Sequence, residues 1–597
     1  MMQNRSKKYS GYLNDYSVVC ASPEAYPELD YASKALTAAL FDASGKQFEP
    51  ILDNDASHAS EKEILLGVTN RAESRAAMAA LQTNAFSVEV VGSRLVIVGE
   101  NPIALDKAIK YFVKNCLYGV RSIEEIHAYR ERDPHSFVDL PKMNEYAYGE
   151  SVCIYAGCIQ QEFAIDFATG DFYYSLADQY CKTDAVLVRR TPTGHQEYMI
   201  LSRFGHMETF DIERVGDKLY VWVCAEAATN HDNSAAICRF EWEGGTYHDW
   251  KYGQTWELGP TTCPSVDIAN GYVTNWRWNF IDIYDRDRFL AGDTTKIHSV
   301  DITFPFYKAH GIKRAIGAGY DLCGSYLYTT WYAEKEAEEH TSFIYVIAQD
   351  MHGNVVSWDT VEYRPEGSEA YREINGLKVE MINGKPQVFI CLSTNSAINN
   401  RYLSTVVAFA EQPLPLVTPT MKSLAQVKSV IHNKLPKNAA ESDWKEEDGV
   451  ISIHAVEEQR LMFDEAAFKG EAYTYETLMT MNGARVAGIN LAGCANVSKK
   501  EALYKRNTYI GVQCLISDAG KFRIKAEEID AEYDISVQAS YALRADVTES
   551  GQLTVTVNGA EIAVLQLSNR YIGGHLGLWV EDGFASFENT KLTYHHP

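Results

Sequence analysis

Thr209-Phe210-Asp211-Ile212-Glu213 leads through the turn Gly216-Asp217 into Leu219-Tyr220-Val221-Trp222, and this pattern decides the reading of the chain. A short alternating run, a glycine turn and a second apolar run make a β-hairpin signature. The same grammar recurs on both sides. Upstream, Glu162-Phe163-Ala164-Ile165-Asp166 passes through Thr169-Gly170-Asp171 into Phe172-Tyr173-Tyr174. Downstream, Ser265-Val266-Asp267-Ile268 crosses Asn270-Gly271 into Tyr272-Val273, and Gly319-Tyr320-Asp321-Leu322 crosses Gly324 into Tyr326-Leu327-Tyr328. A fifth copy, Gly376-Leu377-Lys378-Val379-Glu380, reaches Gln387-Val388-Phe389-Ile390 across Asn383-Gly384. The copies recur about every 50 residues, the spacing of propeller blades. Further hairpins lie between them, such as Ala185-Val186-Leu187-Val188 with Tyr198-Met199-Ile200-Leu201. Four strands per copy over about 260 residues predict a five-bladed β-propeller across residues 151–410, with little room for a sixth blade.

A propeller turns the starts of its inner strands toward one central pocket. The candidate site residues are therefore Gln160, Gln161 and Glu162; His206 and Glu208; Thr262 and Ser265; Arg314 and Tyr320; and Arg372 and Glu373. Residues at strand ends also cap backbone groups, so not all of these face a ligand. Trp222, Trp250, Trp256, Trp276, Trp278, Trp331, Tyr320 and Tyr328 offer flat faces on which sugars stack, or pack the blades. Of these, Trp222, Trp276 and Trp331 join Gln160, Gln161 and Glu162 as expected substrate contacts.

Residues 8–120 read as a small α/β domain. Tyr16-Ser17-Val18-Val19-Cys20 is a strand; a helix with apolar Leu29, Ala32, Leu36, Ala39 and Leu40 begins at Pro27. Asn101-Pro102 opens another helix, with Pro where its missing N–H costs nothing. A charged connector spans 121–150. Residues 411–422, with Pro413, Pro415 and Pro419, form a stiff linker. From 423 to 597 the chain is again β, with alternating runs such as Leu553-Thr554-Val555-Thr556-Val557 before the turn Asn558-Gly559. The expected fold is mainly β: a propeller flanked by an α/β domain and a C-terminal β-sandwich.

Three resemblances add to this. Glu63-Ile64-Leu65-Leu66-Gly67-Val68-Thr69-Asn70-Arg71 and Leu95-Val96-Ile97-Val98-Gly99 resemble the accessory domain in front of β-hexosaminidases and α-glucuronidases. That domain is non-catalytic, and it implies carbohydrate company. Gln161-Glu162-Phe163-Ala164-Ile165-Asp166 and Gly205-His206 before Gly216-Asp217-Lys218-Leu219-Tyr220 resemble helveticin J and teichoic-acid-protein-C-like propellers. Those families are functionally mixed. Gly573-Gly574-His575-Leu576-Gly577-Leu578-Trp579-Val580 with Ala585-Ser586-Phe587-Glu588-Asn589 resembles the last strands of concanavalin-like sandwiches (jelly rolls), implying a structural or glycan-binding module. Five-bladed fructosidases carry Asn-Asp-Pro in the first blade. Here only Arg132-Asp133-Pro134 occurs, ahead of the blades, and their Glu-Cys is missing.

A formal charge of −25 argues against nucleic acid, whose binding is dominated by phosphate neutralisation. No run of 18 apolar residues occurs, so no membrane span is expected. Met1 to Tyr9 is basic and polar with no apolar segment behind it, which fits a cytoplasmic chain, or a secreted or cell-surface one whose signal peptide has been removed. The 12 cysteines form no Cys-x-x-Cys pair, and buried thiols are a better expectation than disulfides. No nucleophile elbow, phosphate loop or zinc signature is present. No cofactor and no metal are expected, although a structural Ca2+ stays open; Asn230-His231-Asp232-Asn233 could touch a cation, but polar loops of this composition are more often solvated turns.

The expected partner is a poly- or oligosaccharide. A lyase acting on a uronic acid would use His206 or Tyr320 as base and Arg314 with Arg372 to hold the carboxylate. A hydrolase would draw two carboxylates from Glu162, Glu208 and Glu373. Elimination is preferred slightly, hydrolysis stands next, and a non-enzymatic glycan-binding or adhesion protein stands third.

Overall fold

The fold was taken from a computed structural model. It describes residues 11–595 apart from 25, 56–59, 119, 121, 151–157, 179–184, 192–194, 206, 226–234, 245–246, 250–251, 260–261, 336–341, 364–371, 397–400, 415–428, 436–442, 468–471, 494–510, 527–528 and 568–573. His206, Trp250, Asn230–Asn233 and the linker prolines Pro415 and Pro419 therefore lie outside the described residues. The chain divides into two compact units. One comprises residues 1–142, 264–361 and 379–388; the other comprises 143–263, 362–378 and 389–597.

The first unit opens with a six-stranded sheet in the order Ile51–Leu52, Ser17–Cys20, Glu63–Leu66, Arg94–Gly99, Ala85–Val91 and Tyr129–Arg132. Ser17–Cys20, Glu63–Leu66 and Arg94–Gly99 run parallel, and their near-continuous burial suits a sheet covered on both faces. Helices α1 (Glu28–Ser44), α2 (Ala72–Ala79) and α3 (Pro102–Tyr111) accompany it. Asn101 caps α3, its Oδ1 accepting from Ala104 N at 2.9 Å, with Pro102 at the first helical position.

Two four-stranded antiparallel sheets complete this unit. Sheet III is Cys263–Asp267, Tyr272–Arg277, Phe280–Asp285 and Lys296–Asp301; sheet IV is Ile312–Cys323, Tyr326–Lys335, Ser342–Asp350 and Val355–Thr360. Tyr31 of α1 and Ile103 of α3 share one apolar core with Tyr272, Ile281, Ile297 and Leu322 of these sheets. A buried polar knot lies beside it. Asp106 accepts from Tyr31 Oη and Tyr272 Oη, both at 3.0 Å, and Lys110 bridges Asp106 (2.8 Å) and Asp285 (2.7 Å). The α/β layer is thus held to sheet III by charge as well as by apolar packing.

The second unit carries sheet I, whose consecutive strands are Cys158–Asp166, Asp171–Asp178, Ala185–Arg190 and Gln196–Ser202, with Tyr247–Asp249 parallel at its edge. Sheet II is Phe210–Val215, Lys218–Ala225, Ala236–Glu241 and Gln254–Glu257. Sheet V is Arg372–Ile382, Lys385–Ser396 and Arg401–Ala410, completed by Asn144–Glu150 from ahead of sheet I. The end of the expected connector is therefore a strand. The tip of sheet V's first hairpin, 379–388, groups with the first unit.

The rest of the second unit is two further sheets around one core. One is ordered Lys445–Glu447, Val450–Ala455, Gly583–Tyr594, Tyr473–Asn482, Ser540–Val547, Gln552–Val557 and Ala560–Gln566, with Ser429–Ile431 also pairing Gly583–Tyr594. The other runs Gln459–Ala467, Gly574–Glu581, Val486–Gly493, Val512–Ser517, Lys521–Ala526 and Ile529–Asp534. Ser540–Val547 shows the period of two: Tyr541, Leu543, Ala545 and Val547 enter the core, while Arg544 pairs outward with Asp546. Among the described residues no helix is long and apolar enough to cross a membrane.

Candidate functional site

In the second unit, acidic side chains lie on or just ahead of the first strands of sheets I, II and V. The strand Cys158–Asp166 slips register between Gln160 and Glu162, which leaves Gln161 as an extra residue and re-aims Glu162. The Glu162 side chain is fully buried, and its Oε1 accepts from Phe163 N at 2.9 Å. It lies against Gly376 of sheet V: a Cβ there would sit 1.8 Å from Glu162 Oε1. Gly376 also has φ of +99°, a region that glycine alone enters readily, so the carboxylate occupies a place that no other residue would leave open. Nearby, Gln160 Nε2 donates to Cys391 Sγ at 2.8 Å, and Asn375 Nδ2 donates to Ser393 Oγ at 3.0 Å.

The Cys263 thiol feels the charge of two carboxylates. The residue keeps part of its surface exposed, yet enough atoms surround the sulfur that burial pushes the thiol well above its ordinary value. The negative charge of Glu208 adds to this, followed by that of Cys224 and then Glu162. Glu208 is exposed and Glu162 is enclosed. Glu373, half-buried, lies on the same strand as Gly376.

A buried cation completes the cluster. Lys378 is only 1% exposed; its Nζ donates to Phe210 O at 2.8 Å and pairs with Asp211 Oδ2 at 3.3 Å. Asp211 Oδ1 accepts from Ile212 N at 2.9 Å. The sequence reading missed Lys378, Asp211, Cys263 and Gly376. The signal was there, because Asp211, Asp267, Asp321 and Lys378 each stand third in their quoted copies. In the first unit one of these positions is again bonded from neighbouring copies: Ser265 Oγ donates to Asp321 Oδ1 at 2.7 Å, and Asp321 Oδ2 accepts from Val379 N at 2.7 Å.

The other expected site residues fare differently. Tyr320 is fully buried, and Thr274 Oγ1 bonds its hydroxyl at 3.2 Å. Arg314 is exposed near the start of Ile312–Cys323. Arg372 begins its strand, and His206 is outside the described residues. Tyr320, sealed in the core, lends elimination no support. Thr262 Oγ1 is turned to Gly259 O at 2.7 Å.

Two of the expected sugar platforms are core residues. Trp222 is fully buried, donates from Nε1 to Glu213 at 2.8 Å and stacks on Trp256 at 5.5 Å. Trp331 is buried, with Nε1 on Thr329 Oγ1 at 3.0 Å. Trp276 is partly buried over Gly317, where a Cβ would lie 2.0 Å from its ring. Alternation along the strands does not distinguish a tryptophan in the core from one at a rim.

Among the described residues, no group of three or more His, Cys, Asp and Glu side chains is arranged to hold a metal ion. No protein-family model and no curated protein matches the chain. Solved structures do. The tail fibre of Staphylococcus aureus phage P68 aligns at 11% identity over 72% of this chain and 97% of its own, with a TM-score of 0.38. A xylan β-1,4-xylosidase from Bacillus halodurans C-125 aligns at 8% identity over 75% of this chain and 100% of its own, with a TM-score of 0.39. The carbohydrate-binding module CBM66 from Bacillus subtilis aligns at 15% identity over 28% of this chain and 95% of its own, with a TM-score of 0.21. Likenesses this distant carry no argument about activity.

Proposed function

We propose that this chain is a glycoside hydrolase acting on a neutral glycan, with Glu162 and Glu208 as its working carboxylates. One observation carries the reading: Glu162, enclosed against Gly376, and Glu208, open to water just ahead of Phe210–Val215, are held by two strands that pack together in one unit. Glycosidic cleavage takes one carboxyl group to protonate the leaving oxygen and a second to act on water or the sugar. Unlike surroundings are what divide such a pair into acid and base. In this reading Glu162, shielded from water, delivers the proton to the glycosidic oxygen. Glu208 takes a proton from the attacking water, and Glu373 bonds sugar hydroxyls. A net charge of −25 disfavours a polyanionic substrate.

The same reading makes sheets I to V the five blades of one propeller. Its support lies within each unit: Arg214 of sheet II meets Asp166 of sheet I, Lys378 of sheet V meets Asp211 of sheet II and Gly376 of sheet V meets Glu162 of sheet I in the second, and Ser265 of sheet III meets Asp321 of sheet IV in the first. Asn144–Glu150 in sheet V would then close the ring by joining the first blade's approach to the last blade. The two C-terminal sheets are read as a concanavalin-like sandwich, and residues 8–120 as a non-catalytic companion.

The test is release of reducing ends from soluble xylan, arabinan and β-glucan by the full chain and by Glu162→Gln and Glu208→Gln. Each substitution is expected to cut the rate by about 10²–10⁴-fold with the melting temperature kept. A Glu208→Gln protein as active as its parent would end the assignment.

A further inference from the structure

The hairpin between Tyr272–Arg277 and Phe280–Asp285 turns through two residues, Trp278 and Asn279. Trp278 has φ of +56°. A positive φ at the first loop position of a two-residue hairpin is where glycine is favoured, and a bulky side chain there is strained. Yet the residue is tryptophan, and it is 71% exposed. The fold does not need it for packing: the apolar core of sheets III and IV takes in Trp276 and Trp331 but not Trp278.

The backbone beneath it is pinned. Trp276 Nε1 donates to Trp278 O at 2.6 Å. The Trp276 ring in turn rests on Gly317 and meets Tyr320 edge-on at 5.7 Å. One tryptophan anchors the tip so that a second is presented to solvent. Phe280, 47% exposed, stands two residues on, opposite Arg277 on one side and Asp301 on the other.

We propose that Trp278 is a stacking platform for a neutral saccharide ring, assisted by Phe280. Three features select this occupant. The apolar part is an indole and one phenyl ring, far short of the roughly 800 Å² per partner that a stable protein interface takes. A chain of net charge −25 is repelled by an anionic membrane surface and by polyanions. The flanking side chains are polar and of both signs, Arg277, Asn279 and Asp301, which suits a ligand with one apolar face and a rim of hydroxyls. The platform does not depend on hydrolysis by Glu162 and Glu208.

Native affinity gels containing soluble xylan, arabinan, β-glucan or alginate test it on the full chain. At least one of the three neutral polymers should retard the parent protein. Trp278→Ala and Trp278→Gly should weaken that retardation about tenfold, while Trp278→Phe should keep most of it. Trp278→Gly should also melt above the parent, because glycine relieves the positive φ; a purely structural tryptophan would give the opposite sign. Retardation by none of the neutral polymers, by alginate alone, or equally of the parent and Trp278→Ala would overturn the proposal.

Discussion

Lys378 and Asp211 form a buried ion pair, with Lys378 also bonded to Phe210 O. Removing one partner strands the other's charge away from water, so Lys378→Met should cost about 3–5 kcal/mol in urea unfolding. Lys378→Met with Asp211→Asn should recover part of that loss. Cys263 offers a readout of the carboxylate pair that needs no substrate. The Glu208 charge raises the thiol pKa, so Glu208→Gln should lower it and speed alkylation of Cys263 near pH 9, followed by peptide mass spectrometry. An unchanged rate would place Glu208 out of reach of the sulfur.

Asp133 gives a pH signature at the same scale. Burial alone would raise its carboxyl, but Lys107 at 2.9 Å, the His135 amide and Ser325 Oγ hold it below the usual range. A depressed carboxyl contributes stability that is complete above its unfolded value near 3.9 and is lost as pH falls through the folded one. Asp133→Asn should therefore be less stable than the parent at pH 7, and the gap should close below about pH 4, as read from urea midpoints.

At the scale of elements, the period of two and the glycine turns made the hairpins legible. All five quoted copies are strand pairs, from Phe210–Val215 with Lys218–Ala225 to Arg372–Ile382 with Lys385–Ser396. Proline and asparagine likewise placed α3. What stayed hidden was depth. Trp222 and Trp278 look alike in sequence, yet one is sealed in a core and the other stands in solvent, because depth depends on which strands stack beyond the hairpin. The proposed site was half legible: Glu162 and Glu208 are candidates from position alone, but Lys378 needed the pairing across sheets. Gly376→Ala tests the element argument. Its positive φ and the 1.8 Å approach to Glu162 both oppose a methyl group, so a loss above about 2 kcal/mol is expected in thermal unfolding.

For the whole molecule, the knot of Asp106, Tyr31, Tyr272, Lys110 and Asp285 means that the α/β layer is part of the first unit's core. The sequence marked that layer only as an accessory, since a tertiary contact between Asp106 and Tyr272 leaves no local pattern. Asp106→Ala should leave both tyrosine hydroxyls and Lys110 poorly satisfied and lower the melting of the entire unit, seen as one shifted transition in calorimetry. Hydrolysis is tested by incubating the full chain with soluble xylan, arabinan, β-glucan and alginate while following reducing ends and the ultraviolet absorbance of unsaturated uronate together. Reducing ends from a neutral polymer, no absorbance, and loss of the signal in Glu162→Gln and Glu208→Gln are expected. Absorbance rising with the ends on alginate, or no cleavage of any polymer, would contradict it.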